Sequence, residues 1–104
     1  MMNEDKRQAA SMLETEIAEW QTKIDAAKLQ MHLGARDARD KLQPQLQRLE
    51  DELSRAKAEW NELQEASEGA WDDVHHGLKL SLKAMQRSFD KASRHFYKPE
   101  ETNK

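Results

Sequence analysis

The chain has 104 residues, of which 37% are apolar and 36% charged, with a mean hydropathy of −1.09 and a formal net charge of −3; that is one domain at most, with a modest core. The β-branched set is only Ile17, Ile24, Val74, Thr15, Thr22 and Thr102 among many Ala, Glu, Lys, Arg, Leu and Gln, which excludes a sheet protein, and zero cysteines exclude disulfides and thiolate metal sites. The longest apolar runs are two or three residues, and Met1–Ala10 carries Glu4, Asp5, Lys6 and Arg7 where a signal peptide needs an apolar segment, so a cytoplasmic protein without a transmembrane helix is expected.

At about 100° per residue, Leu13, Ile17, Trp20, Ile24, Ala27, Met31, Ala35, Ala38, Leu42, Leu46, Leu49, Leu53, Ala56, Trp60 and Leu63 fall on one narrow stripe. The steps are mostly four and three, a heptad rhythm, with a stutter between Ala38 and Leu46. A stripe that keeps its phase this long predicts one continuous first helix over about 4–66. Pro44 lies opposite the stripe and deletes the hydrogen bond to the Asp40 carbonyl, so a kink is expected there. A rival break has its own signals: Gly34 as a C-terminal cap, and Asp40 with Gln43 as a capping box opening another helix. The alternative fold is therefore a three-helix bundle broken between Gly34 and Pro44.

Further along, Ser67-Glu68-Gly69 supplies a cap and a flexible residue before Trp71, Asp72 and Asp73, and a tight turn is placed there. A second helix over about 70–97 carries a second seam: Trp71, Val74, Leu78, Leu82, Met85, Phe89, Ala92 and Phe96. It ends because Lys98 precedes Pro99, leaving 99–104 as a disordered tail to a single domain over 1–98. Folding the chain back at this turn sets Trp60 against Leu78, Ala56 against Leu82, Leu53 against Met85 and Leu49 against Phe89, large facing small in alternation. The expected fold is thus an all-α antiparallel coiled-coil hairpin with unequal arms. Its longer arm leaves Leu13, Ile17, Trp20, Ile24 and Met31 uncovered, a larger patch than a monomer usually shows to water, so these five form the expected self-association seam of a homodimer.

Charge is unevenly distributed. Met1–Ala70 holds 10 basic and 15 acidic residues, whereas Trp71–Lys98 holds 6 basic and 3 acidic. Lys79, Lys83, Arg87, Lys91, Arg94 and Lys98 follow one another at helical spacing and repel by a few tenths of a kcal/mol per pair. Glu50, Asp51, Glu52, Glu59, Glu62 and Glu65 of the preceding helix are expected to face this ladder and fix the antiparallel register. The competing expectation is that the six cations contact an anionic membrane surface, with Trp71, Phe89, Phe96 and Tyr97 dipping among the headgroups. Net acidity and the lack of a base-reading motif speak against a nucleic-acid partner.

No constellation of catalytic or metal-binding type emerges. His75 and His76 are neighbours and diverge on a helix, Asp72 with His76 offers only two ligands, and His32 and His95 stand among bases. The serines at 11, 54, 67, 81, 88 and 93 lie in polar helical sequence without a nucleophile elbow or a glycine-rich loop. No cofactor, metal or catalytic residue is assigned, and a non-enzymatic interaction or structural protein is expected, with other proteins as further partners.

The stretch Glu65-Ala66-Ser67-Glu68-Gly69-Ala70-Trp71-Asp72-Asp73-Val74, with Gly77-Leu78, Phe89-Asp90-Lys91-Ala92, Ala58-Glu59-Trp60 and Met31-His32-Leu33-Gly34, resembles a family of small bacterial coiled-coil proteins associated by name with a cyanobacterial stress-response protein. The resemblance covers most of the chain, and the last helix also resembles apolipoprotein-type amphipathic repeats. It implies a bacterial, cytoplasmic, stress-associated helical protein and transfers no catalytic residue. Pro44 departs from the uninterrupted helix of such a pattern.

Overall fold

The computed structural model describes residues 4–96, with side chains to residue 94. Three helices follow one another: α1 (Glu4–Leu33), α2 (Arg36–Glu65) and α3 (Glu68–Phe96). Their lengths of 30, 30 and 29 residues match, and they stack antiparallel into a bundle of 53 × 24 × 17 Å. The expected two-helix hairpin is therefore corrected to the three-helix alternative. The tail 99–104, Tyr97 and Lys98 lie outside the described residues, as do the side chains of His95 and Phe96.

The first break falls at Gly34-Ala35, at the front edge of the segment where sequence signals compete. Gly34 N–H donates to the Met31 carbonyl at 3.1 Å, a tightened last turn, and Ala35 is extended (φ −66°, ψ 157°). Gly34 does not take a positive φ, so it ends α1 without a left-handed cap. The proposed capping box at Asp40 and Gln43 does not form the start; α2 opens at Arg36 with Ala35 at the N-cap position and no side-chain capping bond. Pro44 sits inside α2.

Seam phase misleads here for a physical reason. Between Met31 and Leu42 the stripe is carried only by Ala35, which is exposed, and Ala38, which is half-buried. Burying a large apolar side chain is worth roughly 1.5–3 kcal/mol. Folding α1 back covers Leu13, Ile17, Trp20, Ile24 and Met31 together, and that gain exceeds the few helical hydrogen bonds lost at the break.

The second break is the expected one, shifted slightly. α2 stops at Glu65, Ala66 is extended (φ −69°, ψ 143°), and Ser67 caps α3: its hydroxyl accepts from Ala70 N–H at 3.3 Å and its carbonyl from Trp71 N–H at 2.9 Å. Gly69 lies within the first turn of α3 rather than in the connection.

Both seams converge on one core. It holds Leu13, Ile17, Trp20, Ile24, Ala27 and Met31 of α1, Leu42, Leu46, Leu49, Leu53, Ala56 and Leu63 of α2, and Trp71, Leu78, Leu82, Met85 and Ala92 of α3. α2 is the central element, packed along both neighbours, while α1 and α3 approach each other more sparsely. Aromatic side chains span that wider gap: Trp20 meets Phe89 edge-to-face, centroids 5.3 Å apart and planes at 69°.

Candidate functional site

The cationic ladder is exposed on α3 but does not form a straight row. Each step of four residues overshoots a full turn by about 40°, so the row winds around the helix. Lys79 and Lys83 border the groove toward α1 with Glu16 and Gln86, whereas Arg87 and Lys91 border a cleft toward α2. Arg94 is exposed beyond them, and Lys98 lies outside the described residues.

Among the described residues none of the acids expected to face this ladder pairs with one of its cations, and three of them bond other groups. Glu50 pairs with Lys28 of α1 at 2.6 Å; the hydrogen bond to Glu50 and then its charge raise the Lys28 pKa above 10.5. Glu59 accepts from the Ser81 hydroxyl at 2.6 Å and Glu52 from the Ser88 hydroxyl at 3.2 Å. Among the described residues, Lys79, Lys83, Arg87, Lys91 and Arg94 form no ion pair with any carboxylate. The expected salt-bridged register is thus corrected to one set by serine–glutamate bonds.

These bonds repeat at one heptad. Glu52 and Glu59 are seven apart on α2, as are Ser81 and Ser88 on α3. On the other side of α2, Lys28 meets Glu50 and Gln21 accepts from Lys57 at 2.7 Å, again seven apart on each helix. The matched heptad spacing is the sequence signal for these pairs, of which opposite charge alone marks only Lys28 with Glu50.

The cleft between α2 and α3 has a volume of about 420 Å³ and is lined by Pro44, Gln45, Arg48, Arg87, Ser88 and Lys91. Three cations and no carboxylate border it. Gln45 Oε1, of a lining residue, is buried without a hydrogen-bond donor, as is Glu52 Oε1 two turns further along α2. A second cleft, about 450 Å³, lies between α1 and α2 beside Ile17, Lys57 and Trp60. There the indole N–H of Trp60 donates to the Ala10 carbonyl at 2.7 Å.

At the turn end of the bundle, His75 stacks on Trp71 with centroids 4.6 Å apart and planes at 14°. Lys6 of α1 lies over the Trp71 ring at 5.1 Å. Burial first, and then the charge of Lys79, hold the His75 pKa below 6.5. His32 and His76 are exposed, and among the described residues no group of three His, Asp or Glu side chains converges to hold a metal ion.

Leu13, Ile17, Trp20, Ile24 and Met31, expected to meet a second copy, are packed inside the chain with exposures of 8%, 7%, 2%, 0% and 7%. The uncovered patch that motivated a dimer there is covered by α2 and α3. Trp71 is likewise in the core at 5% exposure, and Phe89 is half-buried, so neither is free to dip into headgroups. Among the described residues no helix is long and apolar enough to cross a membrane. No protein-family model, curated protein or solved structure matches the chain.

Proposed function

We propose that this chain is a non-enzymatic interaction protein that associates peripherally with anionic membrane surfaces through the outward face of α3. The carrying observation is that Lys79, Lys83, Arg87, Lys91 and Arg94 stand on one exposed helix without carboxylate partners. Such a face has little to offer a partner helix, because Leu80, 53% exposed, is its only large apolar side chain among the described residues and a coiled-coil contact needs a continuous apolar seam. A smeared negative potential needs no packing and contributes about 1 kcal/mol per nearby cation; Asp72, Asp73 and Asp90 on the same helix offset part of it. The attachment is therefore weak, reversible and electrostatic, without insertion of Trp71 or Phe89.

Co-sedimentation with vesicles tests this reading. Binding to phosphatidylglycerol vesicles at low salt, its loss as salt rises, and no binding to phosphatidylcholine vesicles are expected. Lys79→Glu with Lys83→Glu should weaken it. Absence of binding at low salt overturns the reading.

A second reading, self-association, finds support on a different face from the one first expected. Ser11, Thr15, Ala18, Thr22, Ala26, Leu29 and Leu33 form an exposed, uncharged stripe along the outside of α1. The Thr15 and Thr22 hydroxyls donate back to the Ser11 and Ala18 carbonyls, which turns the stripe's polar groups inward. Leu29 and Leu33 are 61% and 75% exposed. Light scattering across concentrations tests it: a dimer mass abolished by Leu29→Glu with Leu33→Glu supports this reading, and a constant monomer mass sinks it.

A further inference from the structure

The cleft bordered by Arg48, Arg87 and Lys91 combines features that a flat charged surface lacks. Its cations come from two helices, Arg48 from α2 and Arg87 with Lys91 from α3, and no carboxylate lines it. Three like charges around one concavity repel one another, and an anion seated between them turns that repulsion into attraction. Guanidinium groups suit this role because their forked donors match the oxygens of a phosphate. The volume of about 420 Å³ falls in the range of small-molecule sites, roughly 300–1,000 Å³, and leaves room for more than the phosphate itself.

The remaining lining indicates what accompanies the anion. Gln45 Oε1 is a buried acceptor with no donor, and an unsatisfied buried acceptor costs about 1–3 kcal/mol. Ser88 directs its proton to Glu52 at 3.2 Å, so toward the cleft its oxygen is an acceptor as well. The phosphate of a monoester dianion has acceptors only and satisfies neither, and the hydrogen phosphate dianion has a single P–OH for the two. A hydroxyl donor on the same ligand meets Ser88 Oγ directly, and it meets Gln45 Oε1, which has no solvent-accessible surface in the free chain, once the Gln45 side chain turns toward the cleft. Pro44, which lacks an N–H, supplies an apolar wall beside Gln45.

We propose that this cleft binds a phosphorylated polyol, its phosphate held by Arg48, Arg87 and Lys91 and its hydroxyls donating to Gln45 Oε1 and Ser88 Oγ. The site does not depend on the membrane reading, since Arg48 belongs to α2 and a soluble ligand can occupy the cleft without any surface. The same chemistry occurs in free glycerol phosphates and in glycerol-bearing lipid headgroups, and the two sources are separable by experiment.

The test uses the full chain at constant ionic strength, titrated with glycerol 3-phosphate and, separately, with inorganic phosphate, while amide resonances are followed by NMR. Saturable shifts confined to residues 44–48 and 87–91 and to the Gln45 side-chain amide are expected, with glycerol 3-phosphate tighter than inorganic phosphate. Arg48→Gln should weaken binding about tenfold, the equivalent of about 1.4 kcal/mol. Gln45→Leu should erase the advantage of glycerol 3-phosphate. Lys79→Gln with Lys83→Gln should leave this binding intact while weakening attachment to phosphatidylglycerol vesicles, so the two readings fail separately. If only those vesicles bind and Arg48→Gln abolishes the binding, the lipid headgroup is the source. Arg48 is exposed, so an unchanged circular dichroism spectrum of its variant is expected and secures the comparison. Binding that ignores Arg48 in both arms, or shifts spread over α1, overturns the proposal.

Discussion

Trp60 contributes to the bundle through its polar edge as well as its area. Its indole donates at 2.7 Å to the Ala10 carbonyl, linking the C-terminal half of α2 to the N-terminal turns of α1. Trp60→Phe keeps an aromatic ring and removes that bond, with an expected loss of about 1 kcal/mol beyond the area term, measurable by urea unfolding. The stripe marks Trp60 as a seam residue, but its acceptor is invisible until α1 is known to fold back. His75 works through charge. Its pKa is below 6.5 in the folded chain, so the unfolded chain takes up a proton first as pH falls. Stability is therefore full above about pH 6.5 and declines below it, toward the folded-state pKa. Asp72 opposes the depression, His76 and Lys79 reinforce it, and Lys6 faces the same ring system from α1 across Trp71. Melting temperatures of the parent should fall between neutral pH and pH 5 more steeply than those of His75→Gln; equal slopes would refute this role for His75.

At the scale of the helix, the two connections are unequally built. Ser67 caps α3 with its side chain, whereas Ala35 occupies the same position before α2 with the right extended backbone and no side-chain acceptor. Ala35→Asp supplies that acceptor and a negative charge at the positive end of the helix dipole. A gain of about 1 kcal/mol is expected, read as a higher urea midpoint with unchanged slope. Pro44 has the opposite character. Inside α2 it leaves the Asp40 carbonyl without its helical donor, so Pro44→Ala should stabilise the chain by about 1–3 kcal/mol while altering the wall of the phosphate cleft. Heptad spacing makes the helical faces legible because each helix must turn its own stripe inward. It does not reveal helix ends: Gly34 marks the break only through its missing side chain, and the capping signal at Asp40 and Gln43 competes with it. The ladder on α3 is likewise legible as charge, but its division between two grooves follows from the winding of the row and from where α1 and α2 lie.

For the whole molecule, the decisive contacts are those that make α1 part of the same core as the other two helices. Trp20 and Ile24 are 2% and 0% exposed, and Trp20 meets Phe89 across the wider α1–α3 gap. Replacing both by Glu places two unpaired charges in that core, each costing several kcal/mol, against a total stability of about 5–15 kcal/mol for a domain. The parent at low concentration should scatter as a monomer with a radius of gyration near 16.5 Å. A continuous first helix over about 4–66 would instead extend for roughly 95 Å, far beyond the 53 Å longest extent of the bundle. X-ray scattering with circular dichroism on the parent and the double mutant separates the two arrangements. In the bundle, Trp20→Glu with Ile24→Glu converts a compact monomer into an expanded chain with little helix. In the hairpin, the same change leaves the helix content intact and only splits a dimer. A parent whose longest dimension approaches that of the extended helix, with a mutant that stays helical, would overturn the three-helix arrangement and return the α1 seam to a second copy of the chain.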